Sequence, residues 1–522
     1  MKLISRIVAL GLLALTVHSE LNAQYAIKPG TFLPPLQLKS GIGHASTSDG
    51  LPSSLDNSLS PYFPAIINQY GGSCAQASGI HYLFTYEVNR MLERPVENKA
   101  ANTFSYRWMW NLLNEGHDEG TSSNEGIDIT KKAGCMTVAD FGDESDYYNR
   151  WPSGFVKYYN GMHYKTKESS RVDLRTMSGI NTLMEYMIDK NDGHPGGGIA
   201  SFSISSNNWS SEEYYGPSET GYKRIINLKG KGGPHAMTLV GYDLSVEFDC
   251  NGDSVISDDE KGAFILVNSW GESWGTNGRA YIPFQYFLNA GKEEDQMDYW
   301  DAQALCIETM YCEPTAAMSI KLSYTSRNDL VIRFGVADGY QAHKSDTGCR
   351  LTYPYPDHQG GDLNMQGTSF ASGQMIEMGF DVSDIKNEAN AMTVPCWLVF
   401  LGKDPRGKAG TGRVIEIDLH DFENDTVYKR VYSPEEGGIV TGYTNFYKLP
   451  TRPWYKNSFD EWYEPVATTG CKLFQSKDYT EPVSWKDTSF SVRKAAGGFA
   501  KVKVIDYNSL TRKITLDITH YE

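Results

Sequence analysis

Three segments of this 522-residue chain carry side chains whose types and order suit nucleophilic chemistry. The first is Asn68-Gln69-Tyr70-Gly71-Gly72-Ser73-Cys74-Ala75-Gln76-Ala77, which runs into an expected amphipathic helix with Ile80, Phe84, Val88 and Met91 on one face. A thiol at a helix N-terminus meets the positive end of the backbone dipole, which favours thiolate, the nucleophilic form. The glycines let the backbone turn tightly into the helix. Gln69 lies five residues upstream of Cys74. Its amide N–H and the backbone N–H of Cys74 would together receive the oxygen of a tetrahedral intermediate. The second segment, Gly232-Gly233-Pro234-His235-Ala236-Met237-Thr238-Leu239-Val240-Gly241-Tyr242, places a histidine at the mouth of an apolar strand. The third, Asn268-Ser269-Trp270-Gly271-Glu272-Ser273-Trp274-Gly275-Thr276-Asn277-Gly278, follows another such strand. If the two strands are adjacent, the Asn268 side-chain carbonyl can hold the His235 imidazole in one tautomer. A nearby Trp would shield that bond from water.

Taken singly, each residue has a commoner explanation. A cysteine at a helix start is more often a buried small side chain, and Asn-Ser-Trp-Gly can be a plain turn. The order Gln, Cys, His, Asn with these flanks reverses that balance. Over roughly residues 51–310 the chain resembles the papain-like cysteine peptidases. Gln69, Cys74, His235 and Asn268 fall on that family's oxyanion glutamine, nucleophile, base and orienting asparagine, and Trp270 on the tryptophan that covers the Asn–His pair. Leu51-Pro52-Ser53-Ser54-Leu55-Asp56 resembles the start of the family's mature domain. The departures are specific. The Gln69–Cys74 spacing is one residue shorter than usual, Ala75 replaces the usual Trp, the additional Cys before the nucleophile is missing, and the leader is too short for a typical inhibitory propeptide. The resemblance implies an α+β papain-like fold, with a helical subdomain followed by an antiparallel β subdomain. It also implies hydrolysis of peptide bonds through a Cys74 acyl-enzyme.

The His235–Asn268 interval of 33 residues is longer than that family needs. The excess lies in Asp249-Cys250-Asn251-Gly252-Asp253-Ser254-Val255-Ile256-Ser257-Asp258-Asp259-Glu260. Asp249, Asn251, Asp253, Ser257 and Glu260 put oxygen donors at loop positions 1, 3, 5, 9 and 12, and the Val255 carbonyl serves position 7, which is the ligand rhythm of an EF-hand. Ser254 stands where a glycine is expected for the sharp turn. The loop reads either as a structural Ca2+ site that pins the hairpin between the two catalytic strands, or as an acidic, solvated hairpin tip.

The elements that must position these groups follow from periodicity. Residues 74–91 and 172–190 read as helices. Ile199 to Ile204, Met237 to Tyr242, Phe264 to Asn268 and Arg279 to Ile282 read as strands. Beyond about Glu313, period-two runs such as Leu330-Ile332-Phe334-Val336, Ile415-Ile417-Leu419 and Ile514-Leu516-Ile518 predict one or two β-sandwich domains. The stretch around 354–363 reads as a long loop. The expected organisation is a signal peptide (1–23), a leader (24–50), a papain-like peptidase domain (51–312) and a β-rich region (313–522). The signal peptide rests on Lys2 and Arg6, the apolar run Ile7 to Val17 and the small-residue site before Gln24. That run is shorter than the roughly 20 residues a membrane span needs.

Composition narrows the partners. Aromatic residues are 12% and charged residues 21%, a globular rather than disordered balance. A net charge of −16 without a basic stripe excludes a nucleic-acid partner. The expected partner is a protein or peptide substrate, with no nucleic acid, no membrane span and no organic cofactor; oligomeric state is left open. The expected location is exported: periplasmic, cell-surface or extracellular. Of the eight cysteines, Cys306 and Cys312 are near enough in sequence to pair. Two other readings share the same residues. One is a catalytically inactive papain-like binding or adhesion protein. The other is an acyl transferase that passes the acyl group to an amine. The β-rich half carries no catalytic constellation and suits substrate docking or attachment.

Overall fold

The structure, a computed structural model, describes Pro35, Leu36 and residues 50–450 apart from 143–147, 205–208, 229–234, 292–301, 340–348, 353–359, 368–373, 393–394, 404–409 and 440–444; beyond 450 it describes only strands, the last ending at Tyr521. The expected signal peptide, nearly all of the expected leader, Gly232 to Pro234, most of the expected 354–363 loop and Cys471 lie outside the described residues. The described chain divides into two compact units. The first holds residues up to Trp151, Asn160–Cys312 and the residues around Gly361; the second holds Pro152–Tyr159, Glu313–Tyr355 and Asp362 onward.

The first unit is α+β. Its helical part begins at Cys74, and one continuous helical run reaches Met91, built from Cys74–Gln76, Ala77–Phe84 and Thr85–Met91. The middle stretch is wider than an α-helix, with π-type turns. The expected one-sided apolar face is not what the run presents: every residue from Cys74 to Arg90 is buried, because helices and sheet enclose it on all sides. Tyr106–Leu113 and Ser123–Ala133 pack beside it. The first is N-capped by Ser105, and the second by Ser122 with Glu125 in a capping box.

A large sheet forms the other side. In chain order its strands are β1 (Ser54–Asp56), β2 (Tyr164–Asp173), β3 (Ala200–Ile204), β4 (Ser210–Glu213), β5 (Arg224–Asn227), β6 (His235–Glu247), β7 (Lys261–Val267), β8 (Arg279–Pro283) and β9 (Gln303–Tyr311). Their spatial order is β2-β9-β3-β6-β7-β8-β5-β4, with β1 paired to β6. Three sequence expectations need correction. Residues 172–173 end strand β2, and the helix expected from 172 starts at Met177, where the Thr176 side chain accepts the Gly179 N–H. The sheet is not wholly antiparallel, since β5 and β8 pair in parallel at Ile225 and Tyr281. Cys306 and Cys312 do not pair. Cys306 lies on β9 in the core, whereas the Cys312 Sγ lies 3.6 Å from the Met162 carbonyl oxygen.

The second unit is mostly strand, as period-two alternation predicts. One sheet orders Met375–Asp381, Ala316–Tyr324, Gly412–Asp421, Thr426–Val431 and Glu481–Pro482. A second orders Arg350–Thr352, Leu330–Asp338, Pro395–Lys403 and Asn445–Pro450. The Phe334 ring of one meets the Phe380 ring of the other at 4.9 Å. Ser489–Arg493, Phe499–Asn508 and Lys513–Tyr521 form a third sheet.

Candidate active site

The position of Cys74 is set by the loop before it. Gly71 has φ +53, and a Cβ there would meet the Asp118 carboxylate, so only glycine suits this turn. Asp118 Oδ1 accepts the Gly72 N–H at 2.6 Å, and the Ser73 hydroxyl donates to the Tyr70 carbonyl at 2.6 Å. Arg107 lies over the Tyr70 ring at 4.4 Å. The chain then enters the helix at Cys74, whose sulfur is fully buried against Ala75 and Ala236. Burial pushes the thiol pKa up. Hydrogen bonds from the backbone N–H groups of Ala236, Ala75 and Cys74, and from the Gln69 side chain, act the other way.

His235 opens β6. The strand register pairs Ile204 with His235 on one side and Thr238 with Val267 on the other, so the head of β6 and the residue after β7, Asn268, share one edge of the sheet. His235 Nε2 donates to Asn268 Oδ1 at 2.6 Å. The Ser269 N–H donates to the same oxygen at 2.7 Å, which fixes the Asn268 amide. His235 Nδ1 is buried and has no hydrogen-bond partner. The histidine is 1% exposed and the asparagine 0%. Burial holds the His235 pKa down to about 4, opposed by the Asn268 bond. Each group therefore resists charging alone. Moving a proton from Cys74 to His235 makes both charges at once, and their mutual attraction offsets the cost of burial.

The Asn268 loop is tied to the nucleophile loop. Gln69 N–H donates to the Ser269 carbonyl at 2.7 Å, Gly271 N–H donates to the Ile67 carbonyl at 2.9 Å, and the Ser269 hydroxyl donates to Gln69 Oε1. With its carbonyl so held, Gln69 turns its NH2 toward the site. One hydrogen goes to the Gly71 carbonyl at 2.8 Å, and the amide also meets the Cys74 sulfur. The shortened spacing thus closes the glutamine onto its own loop. Tyr82, from the helix, donates to the Asn268 carbonyl and accepts the Ile67 N–H, each at 3.1 Å. Asn268 N–H itself donates to the carbonyl of Gly278, a residue with φ +78 whose Cβ would strike Ile66.

Trp270 stacks on His235 with ring centroids 4.6 Å apart and a 29° interplanar angle. A residue that sequence reasoning passed over, Trp209, completes an aromatic group. Its ring lies 5.9 Å from His235 at 7° and 5.3 Å from Trp270 at 27°. Nothing in the local sequence marks Trp209, and Asp118 sits in a polar loop with no pattern. Ser269 lies inside the Asn-Ser-Trp-Gly motif, but its grip on Gln69 shows only in three dimensions. A cavity of about 480 Å³ flanks the same loop, lined by Glu213, Tyr214, Lys223, Arg224, Glu272 and Thr276.

The acidic loop after β6 is compact. Asp249 accepts the N–H groups of Gly252, Asp253 and Ser254, Asn251 Oδ1 accepts that of Asp253, and Asp253 Oδ1 accepts that of Val255. Ser254 adopts φ +65, the left-handed turn for which glycine is expected. Glu260 turns to the backbone and takes N–H groups from Cys250, Asn251 and Ser257, as well as the Ser257 hydroxyl. Among the described residues, no group of three or more His, Cys, Asp or Glu side chains is placed to hold a metal ion.

No protein-family model matches the sequence, and no curated protein matches it. Among solved structures the chain is similar to xylellain, a cysteine protease from Xylella fastidiosa, at 16% identity over 55% of this chain and 97% of that one, with a TM-score of 0.37. It is also similar to the bromelain protease from Ananas comosus in complex with the E64 inhibitor, at 14% identity over 49% and 99%, with a TM-score of 0.32. Digestive procathepsin L 3 of Tenebrio molitor larval midgut is similar at 13% identity over 55% and 76%, with a TM-score of 0.35. The structures that the chain resembles are papain-like cysteine proteases.

Proposed function

We propose that the first unit is a cysteine peptidase in which Cys74 is the nucleophile, His235 the acid and base, Asn268 the residue that orients the imidazole, and Gln69 an oxyanion donor. One observation carries this reading: a buried imidazole bonded through Nε2 to Asn268 keeps Nδ1 unpartnered, beside a cysteine at a helix head. Proton transfer from Cys74 to Nδ1 gives the thiolate–imidazolium pair. The thiolate attacks the peptide carbonyl carbon, and the oxygen takes the electron pair toward the N–H of Cys74 and the Gln69 amide. The intermediate collapses as Nδ1–H protonates the leaving amine. Water then attacks the thioester, Nδ1 accepts its proton, and the acid leaves with Cys74 restored as thiolate.

An epoxysuccinyl peptide alkylates an activated thiolate whatever sequence the enzyme cleaves. With the purified protein, the expected result is one adduct on Cys74, absent in Cys74→Ala and slowed at least 100-fold in His235→Ala. A folded protein that takes no label would instead support the inactive binding reading. The same mass spectrum tests export, because cleavage of the signal peptide leaves a chain that starts at Gln24. No helix among the described residues is long and apolar enough to cross a membrane.

Two subsidiary readings accompany this one. The two larger sheets of the second unit form a β-sandwich, supported by the Phe334–Phe380 contact. The loop from Asp249 to Glu260 binds Ca2+ through Asp249, Asn251, Asp253, the Val255 carbonyl, Ser257 and Glu260, supported by the left-handed Ser254 turn and the inward carboxylates of positions 1 and 5. Binding requires Glu260 to exchange its backbone N–H partners for the ion. Millimolar Ca2+ is then expected to raise the thermal midpoint over that in chelator, and Glu260→Gln to abolish the difference. An equal midpoint in both buffers would remove calcium from the account.

A further inference from the structure

Trp209 immediately precedes β4, and its indole is 5% exposed. It belongs to the core of the first unit with Ile226, Leu228 and Met237, yet it also reaches the catalytic pair. Its ring lies nearly parallel to the His235 imidazole at 5.9 Å and meets Trp270 at 5.3 Å, while Trp270 covers His235 at 4.6 Å. The two indoles therefore form one continuous apolar plate beside the imidazole. Water kept off the Nε2–H···Oδ1 bond cannot compete for it, and a bond of this kind is stronger in a dry surrounding.

We infer that Trp209 is a positioning residue of the Cys74–His235–Asn268 site, extending the Trp270 shield so that the imidazole keeps one plane and one hydrogen-bonded tautomer. It has this role only if Cys74 is the nucleophile proposed above. Of the residues placed around His235, Cys74, packed against the neighbouring Ala236, is the one that titrates; Asn268, Trp270 and Trp209 do not. Burial is the largest influence on His235 and holds its pKa down. Opening one side of the ring to water therefore moves its proton loss to higher pH.

The test is the rate of Cys74 alkylation by an epoxysuccinyl peptide across pH 4 to 10, on the intact mature protein. Trp209→Ala is expected to slow labelling roughly tenfold and to move the alkaline limb of the profile upward by half a unit or more. Trp209→Phe, which restores a ring face, is expected to recover most of the rate and the parental limb. Leu228→Ala is the control: it opens the same core at a residue that carries no ring against His235, so it is expected to lower stability and leave the profile in place. If folded Trp209→Ala has the parental rate and profile, the inference falls. It falls equally if Leu228→Ala moves the profile as far, since Trp209 would then act only through the core. Absence of label in the parent would instead defeat the peptidase reading itself.

Discussion

Asn268→Ala isolates the contribution of the orienting residue. In the parent, Asn268 Oδ1 takes two buried N–H groups, from His235 Nε2 at 2.6 Å and from Ser269 at 2.7 Å. Truncation leaves both donors without an acceptor in a place that water does not reach. An orphaned buried donor costs about 1–3 kcal/mol. Only the His235 donor bears on the reaction. Without its partner the imidazole rotates, and the fraction of time in which Nδ1 is aimed to take the Cys74 proton falls. At about 1.4 kcal/mol per tenfold in rate, that cost corresponds to a loss of about 5- to 150-fold in Cys74 alkylation. The Ser269 donor appears instead as lost stability, a fall in urea midpoint that the rate does not share. The assay is the second-order rate constant for alkylation by the epoxysuccinyl peptide, corrected for the folded fraction at the same pH. Asn268→Asp keeps both acceptors and adds a negative charge beside the imidazole, so its alkaline limb should move upward while labelling persists. A folded Asn268→Ala protein that labels within twofold of the parent would refute the reasoning, because a bond whose loss has no kinetic effect is not what aims the base.

Two further outcomes follow from burial. His81 is buried, its Nε2 donates to the Ala65 carbonyl at 2.9 Å, and burial holds its pKa down to about 4. As pH falls from 6.5 toward 4, the unfolded chain takes up this proton first, so stability present above pH 6.5 is lost on acidification. The His81 share of the loss between pH 7.5 and pH 5 is about 2 kcal/mol by linkage; His81→Gln, which keeps an N–H for Ala65, should be less acid-sensitive by that amount in urea titrations, and an unchanged pH dependence would count against this. Asp418 runs the other way. Burial lifts its pKa to about 6 against the Lys429 ammonium, and its Oδ1 has no hydrogen-bond partner, so its ionised form burdens the fold above that pH. Asp418→Asn should raise the thermal midpoint at pH 8 and leave it nearly unchanged at pH 4; a midpoint lowered at both would show that the Lys429 pair outweighs burial.

The residues proposed for chemistry stand out in the sequence because each sits in a segment whose neighbours have their own physical duties. Glycines shape the turn before Cys74, apolar strands carry His235 and Asn268, and a Trp follows at fixed spacing. What escaped is what depends on the third dimension. Trp209 is one aromatic residue in a chain that has 11 tryptophans, and its approach to His235 shows only in the folded chain, because the strand it precedes, β4, lies four places from β6 in the sheet. Asp118 holds the Gly72 N–H across 46 residues, a pairing that no local pattern encodes. The helix after Cys74 was expected to be amphipathic because its apolar residues fit a 3.6 period, but Ser78, His81, Thr85 and Glu87 are also buried, each with polar partners inside. Glu87, for instance, takes the Lys190 ammonium at 2.7 Å and lies 3.3 Å from Arg90. The start of the helix expected at 172 failed for another reason. Residues 164–173 have polar side chains on both faces of a strand, and their place is decided by pairing with β9, 130 to 147 residues later.

That last strand governs when the first unit can exist at all. β9 pairs with β2, meets β3 at Ser201, and offers the Ile307 carbonyl to Tyr186 and Lys190. A chain emerging from its N-terminus delivers Cys74 first and residues 303–311 last. Until they arrive, β2 has an open edge and the Glu87–Lys190 pair lacks one acceptor. Pairing of β9 with β2 closes contacts 130 to 147 residues apart, the long-range kind that forms slowly. Cys74 is thus made more than 220 residues before the strand that completes its sheet.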